Sequence, residues 1–232
     1  MDTTLSTALG LGFLLGIRHA VDADHLAAMS TLLSRHRGVA LSCLLGTFWG
    51  AGHMTALMAA GVAVVAFKLT ISSELAKGLE ITVAFVLILL GGDVLLRSLG
   101  EWTLHRHDHS HDGHSRHHLH VHGSAEDSPG HVHLLRAGRR PFLVGLVHGM
   151  AGSAALMLVV LTTIPSSLGK LLYLLIFGVG STAGMFLLSG LIGIPFAATA
   201  AHWEAVRTSI QGFTGAVSLI FGVAMVWTLL GA

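Results

Sequence analysis

One cysteine, Cys43, stands among 232 residues, so no intrachain disulfide can form and no thiolate cluster can hold a metal. It lies inside an apolar run and reads as a small buried hydrophobe. Charge is scarce as well: Asp, Glu, Lys and Arg make up 11% of the chain against 53% hydrophobic residues, and the mean hydropathy is +0.74. That leaves too little polar surface to coat a soluble globule of this size. A formal net charge of +1 supplies no basic patch for gripping phosphates, which excludes nucleic acid as a partner. The sequence contains no HExxH, and no glutamate adjoins the histidines discussed below as a general base.

Long apolar runs are what the chain has in quantity. A helix needs roughly 20 residues to cross a hydrocarbon core of about 30 Å. Runs of that order lie near residues 4–33, 38–67, 78–97, 141–163, 168–196 and 208–231. The predicted fold class is an all-α integral membrane protein of about six transmembrane helices, multi-pass in the inner or plasma membrane. Several runs exceed the crossing length, so tilt, a helix break or an extra turn must absorb the excess. The opening MDTTLSTALGLGFLLG lacks the basic flank of a secretory signal and is expected to remain as the start of a helix.

The positive residues are unevenly placed. Arg35, Arg37, Arg97, Arg106, Arg116, Arg136, Arg139, Arg140 and Arg207 follow the first, third and fifth runs, whereas the other side holds Lys68, Lys77 and Lys170. This bias predicts that the Arg-bearing loops, including the long one from 98 to 140, are cytoplasmic and that both termini lie outside.

The two halves align. GIRH at 16–19 meets GLVH at 145–148, GAGHMTA at 50–56 meets GVGSTAG at 178–184, and Gly91 meets Gly222, at offsets of 129, 128 and 131. The predicted organisation is a three-helix unit over 1–97, a loop over 98–140 and a second three-helix unit over 141–232. An odd number of helices per unit makes the plan a 3+3 inverted repeat. Glycines four apart (Gly12 and Gly16, Gly46 and Gly50, Gly145 and Gly149, Gly180 and Gly184) predict close backbone approach between helices.

RHAVDADH, residues 18–25, puts Arg18, His19, Asp22, Asp24 and His25 inside an apolar span. A charged side chain at mid-bilayer costs roughly 2.5 to 3.5 kcal/mol on insertion scales, so this cluster calls for a partner, a cavity or a ligand. On a continuous helix His19, Asp22 and His25 fall within about 120°, while Asp24 points about 140° from His19 and would orient an imidazole on a neighbouring helix. If the helix unwinds, Asp24 can itself ligate. Two imidazoles and a carboxylate suit nickel, cobalt or zinc. The competing reading is an Arg18–Asp22 ion pair with histidines that only bridge helices. His53, between glycines in GTFWGAGHMTALM, is a further ligand candidate, and Glu80 and Asp93 are not expected to ligate.

RHAVDADHL resembles the His-x4-Asp-His signature of the nickel/cobalt transporter family, and GTFWGAGHMT resembles that family's second segment. GLVHGMAGSAALMLVVLTT is similar to the short six-span urease-accessory or nickel-transport type. The resemblance implies transport of Ni2+ or Co2+ as substrate, no catalytic residues and no cofactor, with His19, Asp22, Asp24, His25 and His53 as the metal residues. In the second half His148 matches His19, but Ala151, Ser153 and Ala154 stand where Asp22, Asp24 and His25 would be. His148 and Ser181 would face the site from the other repeat.

Residues 105–133 carry 11 of the 17 histidines among Asp, Ser and Gly. This low-complexity tract is expected to be disordered without metal and to collect or deliver metal at the cytoplasmic mouth, with a cytoplasmic metallochaperone as a possible partner. Alternating access of the His/Asp site, with proton competition for the imidazoles, is the expected mechanism. Two other classes stay open at this level: an intramembrane metalloenzyme, and a membrane-anchored metal storage or sensing module.

Overall fold

A computed structural model describes residues 3–36, 38–69, 72–101, 105–111, 114–120, 134–151, 164–199 and 204–231. Its helices are α1 (Thr3–His19), α2 (Ala23–Leu33), α3 (Val39–Phe67), α4 (Ser73–Glu101), α5 (Leu134–Met150), α6 (Ser167–Thr199) and α7 (Glu204–Gly231). Four of them, α3, α4, α6 and α7, are long and apolar enough to cross a membrane. They correspond to the runs predicted at 38–67, 78–97, 168–196 and 208–231, and α4 extends past its run at both ends.

The run at 4–33 is not one helix. It divides into α1 and α2 at Ala20–Asp22, so the excess length is absorbed by a break. The run at 141–163 begins earlier than expected, as α5 from Leu134, and 152–163 lies outside the described residues. Between α4 and α5, where disorder was expected, strands β1 (His105–His111) and β2 (His114–His120) pair antiparallel, with His105 opposite His120 and His111 opposite His114. Period-2 polar sequence without Pro can satisfy its backbone in such a ladder. Residues 121–133 lie outside the described part.

Helix α3 sits centrally, packed on α5 and α6; α1 packs on α6, α7 on α4, and α2 on both α4 and α7. Glycines set these approaches. A Cβ on Gly16 would strike the carbonyl of Phe177, and one on Gly145 the carbonyl of Trp49. A Cβ on Gly52 would strike the carbonyl of Phe142, and one on Gly180 that of Phe13. The methyl of Ala20 would be 2.7 Å from a Cβ on Gly184, and the methyl of Ala56 2.9 Å from one on Gly149. Each contact in these three pairs is matched by another about 128 or 129 residues away. Between lipid-embedded helices, where water gives no hydrophobic drive, such small-residue faces allow the dispersion contacts that hold the bundle.

Buried Met29, Leu33, Leu45, Trp49, Val83, Leu87 and Met185 form the main core. The outer faces are apolar too: Leu89, Leu96, Phe213, Ile220 and Trp227 are exposed, Trp227 by 80%. An apolar exterior around an apolar core fits a hydrocarbon solvent. Polar crosslinks among the described residues include two that target carbonyls. Gln211 donates to the carbonyl of Ser34 at 2.8 Å and Ser218 to that of Leu87 at 3.1 Å, tying α7 to the end of α2 and to α4.

Candidate metal centre

The break after α1 builds the site. The Val21 amide donates to the Arg18 carbonyl at 3.0 Å and that of Asp22 to His19 at 3.1 Å, tightening the chain into a turn. Asp22 is then extended (φ −62°, ψ 148°) as the N-cap of α2, whose first regular bond runs from the Leu26 amide to the Asp22 carbonyl at 3.0 Å. Aspartate is a favoured N-cap, and two acidic groups at this helix start meet the positive end of its dipole. The Asp22 carboxylate makes no side-chain cap bond to the α2 amides.

It turns instead to the last residue of α1. Nδ1 of His19 lies 2.7 Å from Asp22 Oδ2, and Nδ1 of His25 lies 3.1 Å from Asp24 Oδ1. A carboxylate only accepts, so each Nδ1 carries the hydrogen; in the neutral ring Nε2 then keeps its lone pair. Both Nε2 atoms are buried without a hydrogen-bond partner, as are both ring nitrogens of His53 on α3.

The three rings converge. Centroids are 4.7 Å apart for His19 and His25, 5.1 Å for His19 and His53, and 5.3 Å for His25 and His53. One nitrogen from each can be chosen so that all lie within 4.8 Å of one another. Leaving several polar atoms dry and unpaired costs free energy at each, and a cation bound by the lone pairs offsets that cost. Three imidazoles suit Ni2+, Co2+ or Zn2+ better than a hard cation or copper(I).

The five residues singled out in the sequence therefore divide by position. His19, His25 and His53 come together, while Asp22 and Asp24 stand behind two of them, each bonded to an Nδ1. The geometry argued for a continuous helix does not apply, because the helix ends at His19. Asp22 side-chain exposure is 51%, and Arg18 is also exposed; the Asp22 carboxylate is taken up by His19 rather than by Arg18. Asp93 lies elsewhere, 3.1 Å from Arg35 Nη2 and 2.8 Å from Arg97 Nε. His148 approaches from α5, its ring 5.5 Å from His25. Ser181, buried with an unpartnered hydroxyl, lies on α6 where that helix meets Gly16. Trp49 was not anticipated: its ring is 6.1 Å from His25 and its indole N–H is buried and unpartnered. Its spacing of four from His53, one helical turn, is the signal that points to it.

Long apolar helices around a buried cluster of imidazoles with unpartnered ring nitrogens define a multi-pass membrane protein. The model of the NicO family, described as high-affinity nickel-transport protein, matches residues 5–229, and the chain belongs to that family. It is a transporter family, not an enzyme family. Urease accessory protein UreH of Bacillus sp. (strain TB-90) is 36% identical over 225 residues, covering 97% of this chain and 92% of that protein. No solved structure matches.

Proposed function

We propose that the chain carries Ni2+ or Co2+ across the membrane by alternating access, the ion held by His19, His25 and His53 with Asp22 and Asp24 fixing the first two rings. The observation that carries this reading is the convergence of three buried imidazoles with free ring nitrogens between α1, α2 and α3. Membership of a nickel-transport family supports the choice of cargo. A discontinuous helix that offers ligands at its break is the usual construction of an ion site in a secondary transporter.

The architecture proposed with it is six crossings in a 3+3 inverted repeat, α1 with α2 making the first. Matched glycine contacts support the repeat: Gly16 on Phe177 with Gly145 on Trp49, and Gly52 on Phe142 with Gly180 on Phe13. Arginine bias supports cytoplasmic loops after α2, α4 and α6, with both termini outside. The histidine tract at 105–133 would then collect or hand over metal on the cytoplasmic side, with a metallochaperone as its natural partner.

The test is flux of radioactive Ni2+ and Co2+ in oriented proteoliposomes. His19→Ala, His25→Ala and His53→Ala are each expected to lower the rate by about tenfold or more. Parental rates in all three would refute the site.

A further inference from the structure

His148 is 1% exposed, near the end of α5, with its ring 5.5 Å from His25 and 5.0 Å from Trp49. Its Nδ1 lies 3.1 Å from the carbonyl of Val144, one turn earlier, and a carbonyl can only accept. Nδ1 is therefore the donor, and Nε2 keeps its lone pair in the neutral ring. That Nε2 is buried and has no partner.

This is the arrangement of His19 and His25: Nδ1 anchored to an oxygen, Nε2 presented bare. An oxygen acceptor behind the ring is what fixes the tautomer and aim of a metal-binding imidazole. A histidine that served packing alone would leave a buried acceptor unsatisfied for no return.

His148 is nevertheless not part of the three-nitrogen group, which is made by His19, His25 and His53. Its ring contacts are with His25 and Trp49. His19 in turn stands 5.6 Å from Phe177. His148 and Trp49 thus repeat, about 129 residues on and in exchanged halves, the relation of His19 and Phe177.

The geometry points to a second position for the same divalent cation, with Nε2 of His148 and of His25 as its protein ligands and water completing the shell. This rests on the transport reading above. His25 belongs to both positions, so one ion occupies one or the other and moves between them by exchanging His19 and His53 for His148. Two weak neighbouring positions let an ion enter and also leave, which one tight cage does not. His19 would serve the first position from one half of the chain and His148 the second from the other half.

The test separates binding from movement in the purified full chain. In His148→Ala and in the near-isosteric His148→Gln, equilibrium Ni2+ binding stays within about threefold of the parent, while flux falls about tenfold or more. His148→Cys, which offers a soft thiolate, raises the ratio of Cd2+ to Ni2+ flux by about tenfold. Unchanged flux in the Ala and Gln variants overturns the proposal. So does an unchanged Cd2+ to Ni2+ ratio in the Cys variant, or loss of binding as complete as in His19→Ala, which would put His148 in the first position. A parent chain that neither binds nor moves Ni2+ would instead sink the transport reading itself.

Discussion

Asp22 caps the start of α2 while its carboxylate accepts a hydrogen bond, across 2.7 Å, from Nδ1 of His19, the last residue of α1. The break in the helix and the aim of the imidazole are thereby one feature. Asp24, in the first turn of α2, accepts from Nδ1 of His25, the residue that follows it, across 3.1 Å. Asp22→Asn and Asp24→Asn should each weaken Ni2+ binding by about 10- to 100-fold without unfolding the chain, because the rings lose a charged anchor. Titration calorimetry in detergent measures this, with circular dichroism as the control; unchanged affinity in both variants would make the carboxylates incidental.

Helix approach in this bundle depends on missing side chains. Gly52→Ala and Gly145→Ala each drive a methyl into a backbone carbonyl of the facing helix, whereas Gly92 has no atom within 4 Å of an added Cβ. The first two should cost about 1–3 kcal/mol each by overpacking, and Gly92→Ala should not destabilise. Thermal unfolding in detergent separates them, and three equal melting temperatures would contradict the packing account.

His36 lies in the turn between α2 and α3, outside the helices. Burial, with the Arg35 guanidinium nearby, holds its imidazole below the ordinary value. The unfolded chain therefore binds this proton at a higher pH than the folded chain does. Stability contributed here falls as pH drops below about 6.5, and the loss is complete once pH is under the folded value. Replacing His36 by Gln should flatten the fall in melting temperature between about pH 7 and 5. Parallel curves for parent and variant would show that His36 contributes nothing to it.

Deleting residues 105–133 separates collection from carriage. Flux at saturating Ni2+ should persist, while the concentration for half-maximal flux rises by about two- to tenfold as local metal enrichment is lost. Complete loss of flux, with binding at the buried histidines intact, would assign the tract an obligatory role.

Much of this was legible in one dimension. Hydropathy gave the four long helices to within a few residues, because a run of apolar side chains in lipid has no alternative to a helix that satisfies its own backbone. Polar residues in RHAVDADH marked the candidate site for the complementary reason: they are costly there. His53 was found by the same logic, between glycines that allow close approach. The division of labour among the five was not legible. It depends on whether the chain continues as a helix past His19, and the sequence up to Leu33 is apolar enough for either outcome.

By itself, then, the sequence determined the solvent and the class and singled out the candidate residues, since each follows from transfer free energies and spacing along the chain. Tertiary structure decided which nitrogens meet. Three histidines converge because α1 stops at His19, α2 restarts at Ala23 and α3 brings His53 against both rings. It also brought His148, 123 residues beyond His25 in the chain, to the same cluster. Contacts of that kind arise from helix packing, which periodicity in a single segment does not encode.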